Sequence, residues 1–239
     1  INYMAEKFDI QLKHLKIDLD DTQRKQFRDY YELLVEWNKI MNLTGITEYE
    51  EVYEKHFIDS LAVVKVLDMT KYTSLIDIGT GAGFPGIPLK IAFPDMQVVL
   101  LDSLNKRVKF LNEVIKKLEL KNITAIHGRA EDFAKQEVYR EKFDLCVSRA
   151  VANLSTLSEY CIPFIRVGGI FISYKSSTAD EEIKQAEKAV HILGGKICDS
   201  IKFQIPESEI GRSFIKIQKN KNTPKKYPRK AGLPTKEPL

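Results

Sequence analysis

The sequence predicts an α/β fold: a mostly parallel seven-stranded sheet that ends in an antiparallel hairpin, preceded by a helical extension. Three observations carry this. From Ser74 onward, short apolar runs alternate with amphipathic stretches, the signature of βαβ units. The first run, Leu75-Ile76-Asp77-Ile78, enters a glycine-rich turn, Gly79-Thr80-Gly81-Ala82-Gly83, before a proline-marked helix start. The last two extended runs, Lys196–Ile205 and Arg212–Gln218, have no room for a helix between them, so they pair antiparallel.

The elements follow in order. Residues 1–67 read as helical. Asp20 or Asp21 caps a long helix whose Phe27, Tyr30, Tyr31, Leu34, Trp37 and Met41 recur at helical spacing and form one packing stripe. Thr47-x-x-Glu50 has the form of a capping box for the next helix, which carries His56, Phe57, Asp59 and Ser60. His56 reads as a hydrogen-bonded helix residue. Strands follow at Ser74–Ile78, Gln97–Asp102, Ile123–His127, Phe143–Ser148 and Gly169–Tyr174. Helices fill the intervals, with Pro85 at the first position of one and Asn105 capping another. Residues 68–218 thus form one α/β domain. Residues 219–239 hold Pro224, Pro228, Pro234 and Pro238, a density that excludes helix and central strand. They are expected to form an extended, mobile basic arm whose removal spares cofactor affinity.

Charge is unevenly spread. The net charge is +4, yet residues 219–239 carry seven Lys/Arg against one acid, leaving the remainder with 30 basic and 32 acidic residues, or −2. A mildly acidic body with a basic tail points to a polyanionic partner. Lys225, Lys226, Arg229 and Lys230, together with Lys219 and Lys221, suit phosphates, and Tyr227 suits stacking on a base. Lys106 and Arg107, in the first turn of a helix whose dipole they oppose, are a weaker phosphate candidate. No run of 18 apolar residues suggests a membrane helix, and the first residues lack the layout of a secretory signal. Cys146, Cys161 and Cys198 form no C-x-x-C pair and the four histidines show no metal-ligand spacing, so a cytoplasmic protein without a metal is expected. A monomer is expected.

The glycine turn allows two cofactors. Gly79-x-Gly81-x-Gly83 fits S-adenosylmethionine (SAM), and Gly81-x-Gly83-x-x-Gly86 fits a dinucleotide fingerprint, which keeps an NAD-dependent oxidoreductase open as an alternative. Asp102, ending the second strand, suits the ribose hydroxyls of either. Asp77 favours SAM, because a carboxylate before the turn attracts a methionine ammonium and repels a pyrophosphate. The fourth strand ends Ser148-Arg149-Ala150-Val151, without the Asn/Asp-Pro-Pro-aromatic sequence of amine methylation, and Cys146 sits inside the strand, where it reads as packing and not as a nucleophile. What remains is an acceptor that needs no activation, such as guanine N7. Its lone pair requires positioning and no general base. Arg149 is then a positioning candidate for guanine O6 or a phosphate, not a stabiliser of developing positive charge, and no residue is assigned a catalytic proton transfer. A non-catalytic ribosome- or RNA-binding factor on the same fold is the other alternative.

The chain resembles the bacterial small-subunit rRNA guanine-N7 methyltransferases, the glucose-inhibited division protein B family, a Rossmann-like class I SAM methyltransferase group. The resemblance spans Val35-Glu36-Trp37-Asn38, Asn42-Leu43-Thr44, His56-Phe57-x-Asp59-Ser60, Asp77–Pro85, Asp102–Arg107, Arg129-Ala130-Glu131, Arg149-Ala150-Val151 and Asn222–Lys230. It implies methyl transfer from SAM to a guanine in the 530 loop of 16S rRNA in the small ribosomal subunit. It also implies SAM contacts at Gly79, Phe84, Asp102, Ser103, Leu104, Ala130, Glu131 and Arg149.

Overall fold

The computed structural model describes residues 2–176 and 179–239. The N-terminal region contains α1 (Asn2–His14) and α2 (Asp21–Met41), then α3 (Tyr49–Val52), a π-helical stretch (Tyr53–Ile58) and α4 (Asp59–Leu61). Asp20 caps α2 through a capping box with Gln23. The box expected at Thr47 and Glu50 does not form. The N-cap of α3 is Glu48, with no side-chain bond, and the Thr47 carbonyl accepts the Tyr31 hydroxyl. Phe27, Tyr30 and Leu34 are fully buried, so the stripe on α2 is packing.

The remaining elements alternate: β1 (Ser74–Ile78), α5 (Gly86–Ala92), β2 (Gln97–Asp102), α6 (Asn105–Lys117), β3 (Ile123–His127), α7 (Ala130–Phe133), β4 (Phe143–Ser148), α8 (Leu154–Cys161), β5 (Ile165–Lys175), α9 (Asp180–Ile192), β6 (Gly195–Gln204) and β7 (Gly211–Lys219). One seven-stranded sheet has the order β3-β2-β1-β4-β5-β7-β6. All pairs are parallel except β5–β7 and β7–β6, so the hairpin read from the sequence closes the sheet. β7 inserts between β5 and β6. The inner strands are apolar on both faces because helices cover both. One core joins the N-terminal helices, α5 and α6 to one face. A second lies under α8 and α9 on the other and includes Cys146, Cys161 and Tyr227.

Two helix starts differ from expectation by one residue. Pro85 is the N-cap of α5 and Gly86 its first residue. Asn105 is the first residue of α6, whose N-cap is Leu104.

The C-terminal segment departs most from expectation. It is docked on the α/β body and is not an extended arm. Thr223, Tyr227 and Pro228 are buried. Arg140 donates to the carbonyls of Thr223 and Tyr227. Residues Leu233–Lys236 form a short helix, α10, with Pro234 in its first turn, where a missing N–H costs nothing. Prolines excluded a long helix and an inner strand; they did not exclude docking.

Candidate active site

The turn after β1 is built by two carboxylates. Asp77, fully buried, accepts from Thr80 Oγ1 at 2.7 Å and from the Gly86 N–H at 2.9 Å through the same Oδ2. It thereby ties the start of α5 to the end of β1. Gly86 must lack a Cβ, since one would press on that Oδ2 and on the Leu100 side chain. Gly86 is therefore a packing glycine, the role the third glycine of a dinucleotide fingerprint also has, so the turn by itself does not choose between the two cofactors. Asp102, 2% exposed, accepts the Gly81 N–H at 2.8 Å through Oδ2 and the Leu104 N–H at 2.9 Å through Oδ1. Arg107 stands 3.5 Å from the same Oδ2. A carboxylate has about four lone-pair positions, so each oxygen retains one for a further donor. Gly79, Gly81 and Gly83 all have positive φ, and beyond Gly81 a Cβ would meet open space. The N–H groups of Gly79, Thr80, Gly81 and Gly83 are already engaged by the Leu101 carbonyl, Asp102 and the Thr80 carbonyl, so the turn offers a ligand open backbone surface at Gly81 and not free donors.

A cleft of about 180 Å³ opens against this turn, lined by Gly79, Asp102, Ser103, Ala130 and Glu131 and closed by Tyr160. Five of the residues expected at the cofactor therefore line one cleft. Asp77 lies beneath the turn and does not line the cleft, and neither do Gly81, Phe84, Leu104 and Arg149, the last of which lines the cleft beside it. A wider cleft of about 500 Å³ shares Ala150 and Ala152 with the first and is lined by Arg149, Asn153 and Lys175. The first is below the ~300–1,000 Å³ usual for ligand sites, whereas the two together reach it. Val151, at the tip of the shared wall, is fully exposed.

Arg149 sits in a cluster that the sequence did not foretell. Its guanidinium lies 3.1 Å from Asp59 Oδ2, donates to His56 Nδ1 at 3.1 Å, and stands 5.4 Å from the centre of the Phe84 ring. Arg212 from β7 holds the other Asp59 oxygen at 2.9 Å. His56 stacks on Phe84, with centroids 4.3 Å apart and planes 12° apart. Burial, reinforced by the Arg149 charge, lowers the His56 pKa to about 3, so the ring is neutral at pH 7. A guanidinium only donates, so Nδ1 is the acceptor and Nε2–H donates to Thr44 Oγ1 at 2.9 Å. Burial, with the Asp102 charge and against the Thr80 and Gly86 hydrogen bonds and the Arg149 charge, raises Asp77 to about 8. Its Oδ1 has no partner among the described residues.

Glu131, 2% exposed, shows the opposite balance. Burial pushes its pKa up, but hydrogen bonds from Arg129 and from the Gly232 N–H prevail and hold it below the ordinary range. The Tyr160 and Gly232 contributions had no local sequence signal; Gly232 reaches Glu131 from 101 residues away.

The candidate phosphate ligands divide. Lys106, Lys225, Lys226 and Lys230 are exposed. Arg107 faces Asp102, and Arg229 is engaged by Glu159, which is 1% exposed, through bonds of 2.7–3.1 Å. Lys219 is wholly buried, with Glu141 at 2.8 Å, so it is unavailable to an external anion. Among the described residues, no cluster of three His, Cys, Asp or Glu could hold a metal ion, and no helix is long and apolar enough to cross a membrane.

A glycine turn after β1, a carboxylate ending β2 and an inserted antiparallel β7 together define the class I methyltransferase architecture. The chain is in fact an enzyme of that kind and belongs to the GidB family, rRNA small subunit methyltransferase G, whose family model matches residues 23–210. It is 55% identical to the ribosomal RNA small subunit methyltransferase G of Lachnoclostridium phytofermentans over 228 residues, 95% of this chain and 94% of that protein. It is 51% identical to the namesake from Staphylococcus saprophyticus, covering 96% and 95% of the two chains. Among solved structures, an O-methyltransferase-like protein from Klebsiella pneumoniae matches with a TM-score of 0.54 at 14% identity, covering 88% of this chain and 94% of that one; it supports the fold alone. Family membership sets aside the oxidoreductase and the non-catalytic binding factor.

Proposed function

We propose that the chain transfers a methyl group from SAM to N7 of a guanine in the 530 loop of 16S rRNA, within the small ribosomal subunit or a precursor of it. The observation that carries the reading is Asp102. Its buried carboxylate already orders the Gly81 and Leu104 amides and keeps a lone pair on each oxygen for a ribose diol.

The residues present fit SAM. Gly79 and Gly81 present bare backbone to the methionine end; Asp77 beneath them holds its proton up to about 8, so at pH 7 it shapes the turn without supplying the negative charge expected of it. Asp102, Ser103 and Leu104 suit the ribose, and Ala130 and Glu131 suit the adenine. Bound there, SAM supplies an electrophilic methyl on a sulfonium. The protein's share is then alignment and exclusion of water, a contribution of roughly 7–11 kcal/mol when reacting atoms are held in line. Guanine N7 has no proton to lose, and the site offers no obvious base: His56 is neutral, but its Nδ1 lone pair is occupied by Arg149. Arg149, fixed by Asp59 and His56, lines the wider cleft, where it suits guanine O6 or a phosphate. Lys106, Lys225, Lys226 and Lys230 suit the RNA backbone; Arg107 and Arg229 do so only in part, since acidic partners already hold them.

Incubation with isotope-labelled SAM and either small subunits or protein-free rRNA lacking the modification tests this. Labelled 7-methylguanosine in the digest is the expected product. A different labelled nucleoside would displace the N7 assignment, and SAM binding without transfer to either RNA form would displace the substrate.

A further inference from the structure

The C-terminal segment makes an unusual set of contacts for a tail read as an RNA-binding arm. Its anchors converge on two residues that line the first cleft, Glu131 and Tyr160. The Gly232 N–H donates to Glu131 Oε2 at 2.9 Å, the oxygen that also accepts Arg129 Nη2 at 2.9 Å. Thr235 Oγ1 lies 2.8 Å from the Tyr160 hydroxyl. Glu131 and Tyr160 both line the cleft. Between them, Arg229 grips Glu159 through side chain and backbone, and Thr156 Oγ1 donates to the Pro234 carbonyl at 3.0 Å.

The elements so held cannot fix these side chains alone. α7 is a single turn of four residues, and Glu131 is its second. A four-residue helix has no intrinsic stability and takes its position from its neighbours. An under-satisfied buried carboxylate is costly, and loss of the Gly232 N–H leaves Glu131 with the half-exposed Arg129 as its remaining side-chain donor, freer to change rotamer.

We propose that residues 229–236 are a positioning strap for the cofactor cleft, holding Glu131 and Tyr160 in place for the adenine end of SAM. The proposal rests on SAM occupying this cleft. Thermodynamic reciprocity then requires SAM to favour the docked strap by the factor with which the strap favours SAM. A tail that serves only RNA, or only global stability, has no such coupling.

Two mild variants of the full-length chain test it. Gly232→Ala keeps the charges; its Cβ meets open space, but φ of +88° disfavours alanine and loosens the turn that aims the N–H. Thr235→Val removes the exposed hydroxyl that meets Tyr160 and nothing buried. Calorimetric SAM affinity is expected to fall about fivefold or more in Gly232→Ala, near the lower end of usual couplings, and less in Thr235→Val, with circular dichroism unchanged. In the wild type, saturating SAM is expected to slow hydrogen–deuterium exchange over 229–236. Wild-type affinity in both variants, with exchange over 229–236 indifferent to SAM, would overturn the strap while leaving the cofactor assignment intact. No SAM binding by the wild type would overturn that assignment and the strap with it.

Discussion

The two ends of the cleft proposed for the cofactor are built by different means. At the glycine turn the ligand-facing surface is backbone, and its supports are close in sequence: Asp77 binds Thr80 and Gly86, three and nine residues on. At the Glu131 end the surface is side chain, and its supports come from the far end of the chain. A backbone end stands or falls with the sheet. A side-chain end held by a late segment can loosen while the sheet stays intact. Affinity and stability should therefore separate at one end and move together at the other.

The largest expected effect is Asp102→Ala, which removes the acceptor for the ribose and for two ordering amides. SAM affinity is expected to fall on the order of a hundredfold by calorimetry, since hydrogen bonds to a charged group contribute about 1.5–3 kcal/mol each. An unchanged dissociation constant would contradict the assignment. At the same backbone end, Gly83→Ala places a Cβ 2.5 Å from the Tyr30 hydroxyl in a residue with φ of +105°. Urea unfolding should show a loss of roughly 2–4 kcal/mol, as for other strained and overpacked sites. A variant of wild-type stability that binds SAM weakly would erase the contrast between the ends.

The pH dependence sharpens the same contrast, because the strongly raised carboxyl lies under the backbone end. Native Asp77 holds its proton up to about 8, against an ordinary 3.8, so across that window the native state binds more protons than the unfolded chain and stability declines as pH rises. His56 acts oppositely: its native value near 3 against 6.5 means stability is lost as pH falls below 6.5. The two slopes offset each other where the windows overlap, and Asp77 acts alone above pH 6.5. Asp77→Asn cannot ionise. It is expected to abolish a decline of about 1–2 kcal/mol between pH 6.5 and 8 in urea titrations, as one proton's linkage requires. A decline that persists in this variant would place the titrating group elsewhere.

The smallest effect on the cleft belongs to the exposed tail lysines. Lys225→Ala, Lys226→Ala and Lys230→Ala together should weaken RNA binding at every sequence and flatten its salt dependence by about 0.7–0.9 for each phosphate left without its lysine, while SAM affinity holds. A drop in SAM affinity with an unchanged salt slope would reverse the roles given to these lysines and to the strap.

What could be read in the sequence follows the same division. The first four strands, the glycine turn and the carboxylate of Asp102 rest on local pattern and lie where the spacing put them; the fifth strand begins at Ile165, four residues before the expected Gly169. The tail failed as a reading because its partners are 70–101 residues away in sequence. Composition described Arg229 as a free cation. Only the fold brings it to Glu159, a buried acid on α8 that has no other cation beside it among the described ion pairs. The Arg149 cluster was half legible. Arg149 stood out at the end of β4, but its Asp59 and His56 partners lie 90 or more residues earlier. The Thr47 box was a local signal that did not form, because α3 starts one residue later, after Glu48.

The most direct test of transfer to N7 uses an rRNA transcript in which every guanosine is replaced by 7-deazaguanosine, so that the acceptor nitrogen becomes a carbon without a lone pair. With labelled SAM, the ordinary transcript in a methyl-accepting form should take up label. The substituted one should take up none while competing for the enzyme. Label of comparable yield in the substituted RNA would contradict methylation at N7.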